Sequence, residues 1–222
     1  MSVKVKICGV RTPSIVEAAA EAGADYVGLV FFLKSPRNVT PEEARALAQA
    51  ARGRLKTVGL MVDPDDGLID RVLGTVNPDL LQLHGNETPQ RVAEIKARAG
   101  RPVIKAIAVS DGHDVAGAAA FADCADIVLF DAKADPDAEL PGGNGVPFDW
   151  QALRGLRAGR PFALSGGLTP DTVAQAVRLT GASIVDVSSG VESAPGEKDA
   201  NLVRRFVRAA KSAASSPEAK AS

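Results

Sequence analysis

Short apolar runs rich in β-branched residues recur along the chain, and each is followed by a stretch with helical spacing. Several runs are apolar nearly throughout, which is typical of parallel strands covered on both faces. The stretches between them carry apolar residues three and four apart, as in 42–52 and 171–179, which indicates helices with one buried stripe. We predict eight strands, at residues 3–8, 26–32, 56–62, 80–84, 103–109, 126–131, 162–165 and 184–187.

A Thr-Pro pair follows four of the predicted strands and their loops, at Thr12, Thr40, Thr88 and Thr169. A threonine hydroxyl can cap the first free amides of a helix, and proline at the first helical position gives up a donor that has no partner. Thr40 and Glu43 also have the spacing of a capping box. We expect a helix to begin at each pair.

Eight alternating units in 222 residues predict an α/β fold, a single (β/α)₈ TIM barrel with a parallel eight-stranded core. An open, doubly wound sheet is the alternative, but Cys8-Gly9-Val10-Arg11 after the first strand is not the glycine-rich turn of that fold. We assign 1–212 to the barrel domain. The segment 213–222, rich in Ala, Ser and Lys, is expected to be a disordered tail.

The composition excludes several classes of partner. The chain is 45% hydrophobic and 24% charged with a net charge of −1, so we expect neither nucleic acid nor a membrane as a partner. Two cysteines, Cys8 and Cys124, are too few for a disulfide framework or a zinc pattern, which leaves free thiols. With no secretory signal and no apolar run of roughly 20 residues, we expect a cytoplasmic protein.

In a barrel of this class, side chains at the C-terminal ends of the strands line the active site. Cys8 and Asp131 end strands one and six, and either is a catalytic group or has a local structural role, as a small buried side chain or a turn cap. Arg37, in the loop after strand two, either clamps a carboxylate or is an ordinary exposed arginine. His84 contacts either a ligand or a neighbouring strand. His113 and Cys124 are expected to have no catalytic role.

Glycine- and serine-rich loops follow the last two strands. In Ser165-Gly166-Gly167, the serine ends strand seven and the glycines follow it, and Asp186-Val187-Ser188-Ser189-Gly190 begins within strand eight and continues past its end. Glycine lets backbone amides approach an anion, and a helix that begins there adds a favourable dipole. Loops after strands seven and eight are a frequent phosphate site in this fold, so we predict that these two bind a phosphate.

The ordered set of motifs resembles the phosphoribosylanthranilate isomerase family of tryptophan biosynthesis over residues 5–201. The resemblance includes Lys6-Ile7-Cys8-Gly9, Ser35-Pro36-Arg37, Gln82-Leu83-His84-Gly85, Leu129-Phe130-Asp131-Ala132-Lys133, Gly142-Gly143-Asn144-Gly145, Leu164-Ser165-Gly166-Gly167-Leu168 and Val185-Asp186-Val187-Ser188-Ser189-Gly190-Val191-Glu192.

The resemblance implies a cofactor-free Amadori rearrangement of N-(5-phosphoribosyl)anthranilate, without a metal. It implies Cys8 as general base, Asp131 as general acid and Arg37 as the residue that holds the anthranilate carboxylate. We add His84 and Asp186 as substrate contacts, and Gly166, Gly167, Ser188, Ser189 and Gly190 as the phosphate site. The alternatives are another phosphosugar-processing barrel and a non-catalytic phosphosugar-binding barrel. We expect a monomer or homodimer, and treat 142–145 as a candidate lid.

Overall fold

The computed structural model describes residues 3–110, 112–133, 150–153 and 161–213, and its strands close into a parallel barrel in chain order. β1 pairs with β2 and also with β8, for example Ile7 with Val187, and this second pairing closes the sheet. An open sheet is therefore excluded. The strands are β1 Lys4–Cys8, β2 Tyr26–Phe31, β3 Lys56–Met61, β4 Leu80–Leu83, β5 Val103–Val109, β6 Ile127–Ala132, β7 Phe162–Leu164 and β8 Ile184–Val187.

The TIM-barrel prediction is confirmed, and each predicted strand end lies within one residue of the observed end. The helices are α1 Pro13–Ala22, α2 Pro41–Ala51, α3 Asp66–Thr75, α4 Pro89–Ala99, α5 Gly112–Gly117, α6 Val173–Thr180 and α7 Ala200–Ala213. Short 3₁₀ turns lie at Ala118–Phe121, Trp150–Leu153 and Ser189–Val191, and a small antiparallel hairpin is formed by β9 Glu192–Ala194 and β10 Glu197–Lys198.

Two of the four Thr-Pro pairs cap a helix with the threonine side chain. The Thr40 hydroxyl accepts from the Glu43 amide in a complete capping box, and the Thr88 hydroxyl accepts from the Arg91 amide. Thr12 begins α1 without a side-chain cap. The prediction was wrong for Thr169, because its hydroxyl bonds Thr172 inside a turn and α6 begins only at Val173.

Two apolar layers surround the strands because successive strand residues point to opposite faces. The larger layer lies between strands and helices and includes Val5 and Ile7 of β1. The smaller one fills the barrel interior toward the N-terminal ends of the strands, with Tyr26, Val58, Leu80, Ile104, Leu129 and Ile184 among its members. The interior nearer the C-terminal ends combines polar side chains with a small apolar cluster of Cys8, Val30 and Leu60, and that is where the candidate site lies.

Aspartates join neighbouring strands at the N-terminal face of the barrel. Asp25, Asp79 and Asp126 each precede an even-numbered strand, and each carboxylate accepts a backbone amide of the strand before it, at 2.7–2.8 Å. A charged acceptor satisfies an edge amide strongly. These contacts hold successive strand pairs in register on the face opposite the active-site mouth.

Ala213 corrects the predicted boundary of the tail. It is the last residue of α7 and is buried, because it continues the apolar stripe formed by Val203, Phe206, Val207 and Ala210. The rest of the predicted tail lies outside the described residues. Within those residues no helix has both the length and the apolarity needed to span a bilayer.

Candidate active site

The predicted catalytic side chains lie at the C-terminal ends of their strands and face the barrel interior. Cys8 is the last residue of β1 and Asp131 lies one residue before the end of β6. Asp186 is on β8 and His84 follows β4 directly. Cys8, Asp131 and Asp186 are each about 95% buried. The strand alternation that places Val5 and Ile7 against the helices also turns Cys8 inward.

A buried lysine links the thiol to a carboxylate. Lys6 lies two residues before Cys8 on the same face of β1, and only 1% of it is exposed. Its Nζ donates to Asp186 Oδ1 at 3.0 Å, and both Nζ and the Cys8 sulfur border the space beside Gly28. A buried ammonium is stable only when it is paired, which explains this ion pair. Lys6 was not among the site residues predicted from the sequence, although its position two residues before Cys8 on the inward-facing side of the strand was an available signal.

Gly28 on β2 provides the space for this contact. A Cβ atom at this position would lie 2.9 Å from Cys8 Sγ and 3.1 Å from Lys6 Nζ. Any side chain there would displace one or both groups. The thiol and the ammonium can therefore meet because β2 presents no side chain at this point of the interior.

Burial dominates the electrostatics of the thiol. It raises the pKa of Cys8, the Lys6 ammonium opposes that effect, and the Asp186 carboxylate adds to it, with Lys198 opposing more weakly. Burial likewise raises the pKa of Asp186, against the attraction of Lys6 and in the same direction as the charge of Asp131. With its pKa raised, Cys8 is a thiol near neutral pH, and additional positive charge nearby is needed to favour the thiolate.

Asp131 is held by an imidazole and a backbone amide. His84 Nε2 lies 3.1 Å from Asp131 Oδ2, and the Ala132 amide donates to Oδ1 at 2.9 Å. The Gln82 amide nitrogen lies 3.0 Å from His84 Nδ1. The contact between His84 and Asp131 was not predicted, because a contact between strands four and six depends on barrel geometry rather than on chain spacing. Gln82 was not predicted either, although its position two residues before His84 on the same predicted strand was an available signal.

A buried ion pair supports the loop that carries His84. Lys105 Nζ donates to the Gly85 carbonyl at 2.7 Å and to Glu87 Oε2 at 2.8 Å. Glu87 in turn accepts from the amides of Gly85 and Asp63. The loops after β3 and β4 are thus joined beside the mouth, and the backbone that positions His84 is held from both sides.

Arg37 lies in a buried cluster of charges, which excludes the exposed-arginine alternative. Its Nε and Nη2 donate to the two carboxylate oxygens of Glu192, at 2.8 and 2.9 Å. Lys198 also bonds Glu192, and its Nζ lies 3.4 Å from Ser188 Oγ. Although burial opposes ionisation, the hydrogen bonds from Arg37 and Lys198 lower the pKa of Glu192 to about 2. Sequence reasoning did not identify Glu192 or Lys198 as partners of this arginine.

The two glycine-serine loops approach each other closely at the mouth. Gly166 and Gly167 have φ values of +83° and +66°, a region that favours glycine, and a Cβ on Gly166 would lie 2.5 Å from the Ala132 amide nitrogen. The Leu168 carbonyl occupies the place of a Cβ on Gly190. Ser188 Oγ donates to the Cys8 carbonyl at 3.2 Å, so the β8 loop contacts the end of β1.

The expectation that a helix begins directly at the phosphate loops was wrong. α6 begins at Val173, after a turn, rather than directly after Gly167, and the β8 loop leads into the 3₁₀ turn Ser189–Val191. The dipole of a full helix therefore does not start at either loop. Backbone amides and serine hydroxyls remain as the anion-binding groups that these loops offer.

The other residues that the sequence brought to attention lie away from the mouth or outside the described part. Cys124 is buried before β6, with its sulfur 3.6 Å from the Phe121 carbonyl, as expected for a structural thiol. His113 lies in α5, but its side chain is outside the described residues. The candidate lid 142–145 is also outside them. Among the described residues no cluster of His, Cys, Asp and Glu could hold a metal ion.

A closed parallel barrel with a buried thiol, paired carboxylates and an imidazole at its C-terminal mouth belongs to the class of barrel enzymes that carry out acid–base chemistry. Residues 5–209 match the family model of N-(5'-phosphoribosyl)anthranilate (PRA) isomerase. The N-(5'-phosphoribosyl)anthranilate isomerase of Paramagnetospirillum magneticum is 55% identical over 211 residues, which cover 95% of this chain and 98% of the relative. The chain therefore belongs to the N-(5'-phosphoribosyl)anthranilate isomerase family.

Solved structures agree with this assignment. The crystal structure of phosphoribosyl anthranilate isomerase from Thermotoga maritima matches with a TM-score of 0.85 and 36% identity, covering 95% of this chain and 99% of that one. A crystal structure of the isomerase in complex with reduced 1-(o-carboxyphenylamino)-1-deoxyribulose 5-phosphate matches with a TM-score of 0.82 and 34% identity, with the same coverage of both chains.

Proposed function

We propose that this chain catalyses the Amadori rearrangement of N-(5'-phosphoribosyl)anthranilate to 1-(2-carboxyphenylamino)-1-deoxyribulose 5-phosphate, an aldose–ketose isomerisation in tryptophan biosynthesis. The observation that carries the proposal is the buried thiol of Cys8 and the buried carboxyl of Asp131 on the inner face of one barrel mouth, with the Lys6–Asp186 pair beside them. An acid and a base in one enclosed site are what this isomerisation requires.

The first step opens the sugar ring, and Asp131 acts as the general acid. The C1–ring oxygen bond breaks while the lone pair of the anthranilate nitrogen forms an iminium, and protonated Asp131 gives its proton to the ring oxygen. Asp131 then becomes a carboxylate, which the His84 Nε2–H and the Ala132 amide stabilise as donors. These contacts stabilise the carboxylate that Asp131 becomes after it has donated its proton.

The second step removes the proton from C2, and Cys8 acts as the general base. The thiolate takes this proton and the electron pair of the C–H bond forms an enolamine, which tautomerises to the ketone. Burial raises the pKa of Cys8 in the free protein, so positive charge must help the thiol to ionise. The iminium supplies that charge when it is needed, and Lys6 adds to it.

Binding groups at both ends hold the substrate between acid and base. We assign the phosphate to the loops of Gly166, Gly167, Ser188, Ser189 and Gly190, and the anthranilate carboxylate to Arg37. Asp186 and His84 are the proposed contacts of the sugar. The Nε and Nη2 edge of Arg37 is bonded to Glu192, so a carboxylate would approach the guanidinium from another direction. Fixing both ends positions the reacting carbons.

No cofactor enters this scheme, because acid and base suffice for an isomerisation that leaves the oxidation level of the whole molecule unchanged. We further propose that the protein acts in the cytoplasm, where a free catalytic thiol stays reduced. Its proposed partner is the small phosphorylated substrate, without nucleic acid or a membrane. A monomer or a homodimer stays a prediction.

The decisive test follows the loss of anthranilate-adduct fluorescence in the wild type, Cys8→Ala and Asp131→Asn, with and without EDTA. We expect turnover to fall by at least about 10³-fold in each variant, since each change removes an acid–base group, while binding of a reduced product analogue is largely retained. Cys124→Ala removes the other buried thiol and serves as the matched control with near-normal turnover. Near-normal turnover in both active-site variants would exclude Cys8 and Asp131 as the base and the acid. Binding of the product analogue by a wild type that shows no turnover would instead favour a phosphosugar-binding barrel without this chemistry.

A further inference from the structure

Gln82 is a fully buried amide inside the barrel that has no part in the proposed acid and base steps. It lies on β4 between Leu81 and Leu83, which pack in the outer apolar layer, and it faces the interior two residues before His84. Its Nε2 lies 3.0 Å from His84 Nδ1. Its Oε1 is buried and has no hydrogen-bond partner among the described residues.

An apolar side chain would fill this position without a buried, unsatisfied carbonyl. Leaving such an acceptor without a partner costs free energy, so packing alone does not account for a glutamine here. The contact that distinguishes Gln82 from leucine or methionine is the one with His84 Nδ1. This observation points to a role exerted through the imidazole.

The orientation of the amide decides which ring nitrogen of His84 carries a proton. When Nε2–H of Gln82 faces Nδ1, that nitrogen must accept, so the ring proton is on Nε2 and is donated to Asp131 as carboxylate. When Oε1 faces Nδ1, that nitrogen must carry a proton. His84 Nε2 can then accept a hydrogen bond from protonated Asp131, 3.1 Å away.

Turning the amide over costs no other hydrogen bond among the described residues, because Oε1 has no partner in the first orientation. The second arrangement holds one more proton than the first, and that proton can reside on Asp131 Oδ2. This is the protonated state that a general acid needs before it acts.

We propose that Gln82 is a positioning residue for the acid step: by exchanging donor for acceptor toward His84 Nδ1, its amide sets whether the His84–Asp131 pair holds the proton that Asp131 delivers. The inference rests on the proposed function for its catalytic meaning, but the state of the imidazole can be measured without turnover. The protons balance: the His84–Asp131 pair takes one proton from solvent, and Asp131 passes one proton to the sugar-ring oxygen of the substrate.

Several charged and titratable groups lie near the His84–Asp131 pair. Asp131 and Asp186 are two carboxylates that interact through space, and the Lys6 ammonium bonds only Asp186 of the two. Cys8 adds no charge as a thiol. The Lys105–Glu87 pair in the neighbouring loop is neutral as a whole.

Nitrogen-15 NMR of the imidazoles provides the first test, because the chain has only two histidines. His113→Gln leaves His84 as the single imidazole and serves as the background. In that background, with Gln82 in place, we expect His84 to carry its proton on Nε2 at alkaline pH. The ionised carboxylate of Q82E can only accept a hydrogen bond, so in this variant we expect Nδ1 of His84 to stay protonated up to a higher pH. Q82M, which offers neither donor nor acceptor, should show a mixture of the two neutral tautomers.

The pH profile of kcat provides the second test, since the alkaline limb reports loss of the proton from the acid. We expect this limb to move up by about one pH unit in Q82E. In Q82M we expect kcat to fall about 10-fold at alkaline pH while KM changes less than about 2-fold, because the change affects a protonation state rather than substrate contacts. Gln90→Met, at an exposed glutamine of α4, is the matched control and should leave both parameters unchanged.

The outcomes separate this inference from the proposed function. A His84 tautomer equilibrium and an alkaline limb that stay as in the wild type in Q82M overturn the role of Gln82, whatever Q82E does. A wild-type protein that binds the substrate but does not isomerise it overturns the proposed function instead, and the NMR result then still decides whether Gln82 controls the imidazole. Thermal melting of each variant identifies loss of folding as a separate cause.

Discussion

At the scale of single residues, the site depends on a lysine in an unusual place. An ammonium in a barrel interior carries a large desolvation cost, and pairing with the Asp186 carboxylate offsets it. Burial lowers the pKa of Lys6 and the Asp186 carboxylate raises it, and the net direction is upward. Lys6 therefore stays charged beside the thiol, and the thiol faces a permanent positive group.

Substitution of Gly28 by alanine tests whether this contact needs the space that β2 leaves open. The new methyl would lie 2.9 Å from Cys8 Sγ and 3.1 Å from the backbone Cα of Cys8, so the sulfur must shift. We expect turnover to fall at least about 10-fold and the free energy of unfolding to fall by about 1–3 kcal/mol. The measurements are the fluorescence assay and urea denaturation.

Gly74→Ala in α3 is the matched control, because a Cβ there would contact nothing within 4 Å. This variant should keep full turnover and be as stable as the wild type or more stable by up to about 1 kcal/mol, since alanine favours a helix over glycine. Equal turnover in the Gly28 and Gly74 variants would show that the space beside the thiol is not needed.

At the scale of elements, four Thr-Pro pairs look alike in sequence but differ in what the threonine does. Thr40 takes part in a reciprocal pair of hydrogen bonds with Glu43, whereas the Thr12 hydroxyl bonds Ser14 and caps no amide. The proline begins the helix in both cases. The dipeptide thus predicts where a helix begins more reliably than it predicts a side-chain cap.

Thr40→Ala and Thr12→Ala form a matched pair for this difference. Loss of the capping hydroxyl at Thr40 leaves the Glu43 amide without its acceptor, so we expect a loss of about 1 kcal/mol in the free energy of unfolding. Thr12→Ala should change it by less than about 0.5 kcal/mol. Chemical denaturation measures both, and equal losses would contradict the assignment of caps.

The elements were predictable because continuous apolar strands and helical spacing are local properties of the chain. The inward direction of Cys8 and Asp131 followed from strand alternation once a barrel was assumed. Contacts across the barrel, such as His84 with Asp131 and Arg37 with Glu192, were not predictable. They join residues 47 and 155 positions apart, and only closure of the sheet brings them together.

At the scale of the whole molecule, Glu192 links the loop after β2 to the segment that precedes α7. It lies after β8 and bonds Arg37, in the loop after β2, and Lys198, which precedes α7. The carboxylate therefore connects the N-terminal and C-terminal parts of the chain at the mouth. Its contribution to folding depends on its charge, because both partners are cations.

The stability of the fold in acid tests this connection. The pKa of Glu192 falls from its ordinary value of 4.5 to about 2 on folding, so its stabilising effect is complete above pH 4.5 and is lost as the pH falls toward 2. We expect Glu192→Gln to be less stable than the wild type near neutral pH, and the difference to shrink across that interval. Denaturation of both proteins at a series of pH values measures this difference in the free energy of unfolding.

The exposed Glu197 of β10 supplies the control, and Glu197→Gln should follow the wild type at every pH. A stability difference for the Glu192 variant that stays constant from neutral pH to pH 2 would mean that the ionised carboxylate does not hold the mouth together.

The far face of the barrel brings the two ends of the described chain side by side. Lys211, near the end of α7, bonds the same Asp25 oxygen that accepts the Val5 amide at the start of β1. A short peptide from residue 213 to residue 3 could therefore join them without crossing the catalytic opening. We therefore expect the fold not to depend on where the chain begins. A circularly permuted chain, with residues 213 and 3 joined and new termini placed between two other β/α units, should form the same active-site cavity.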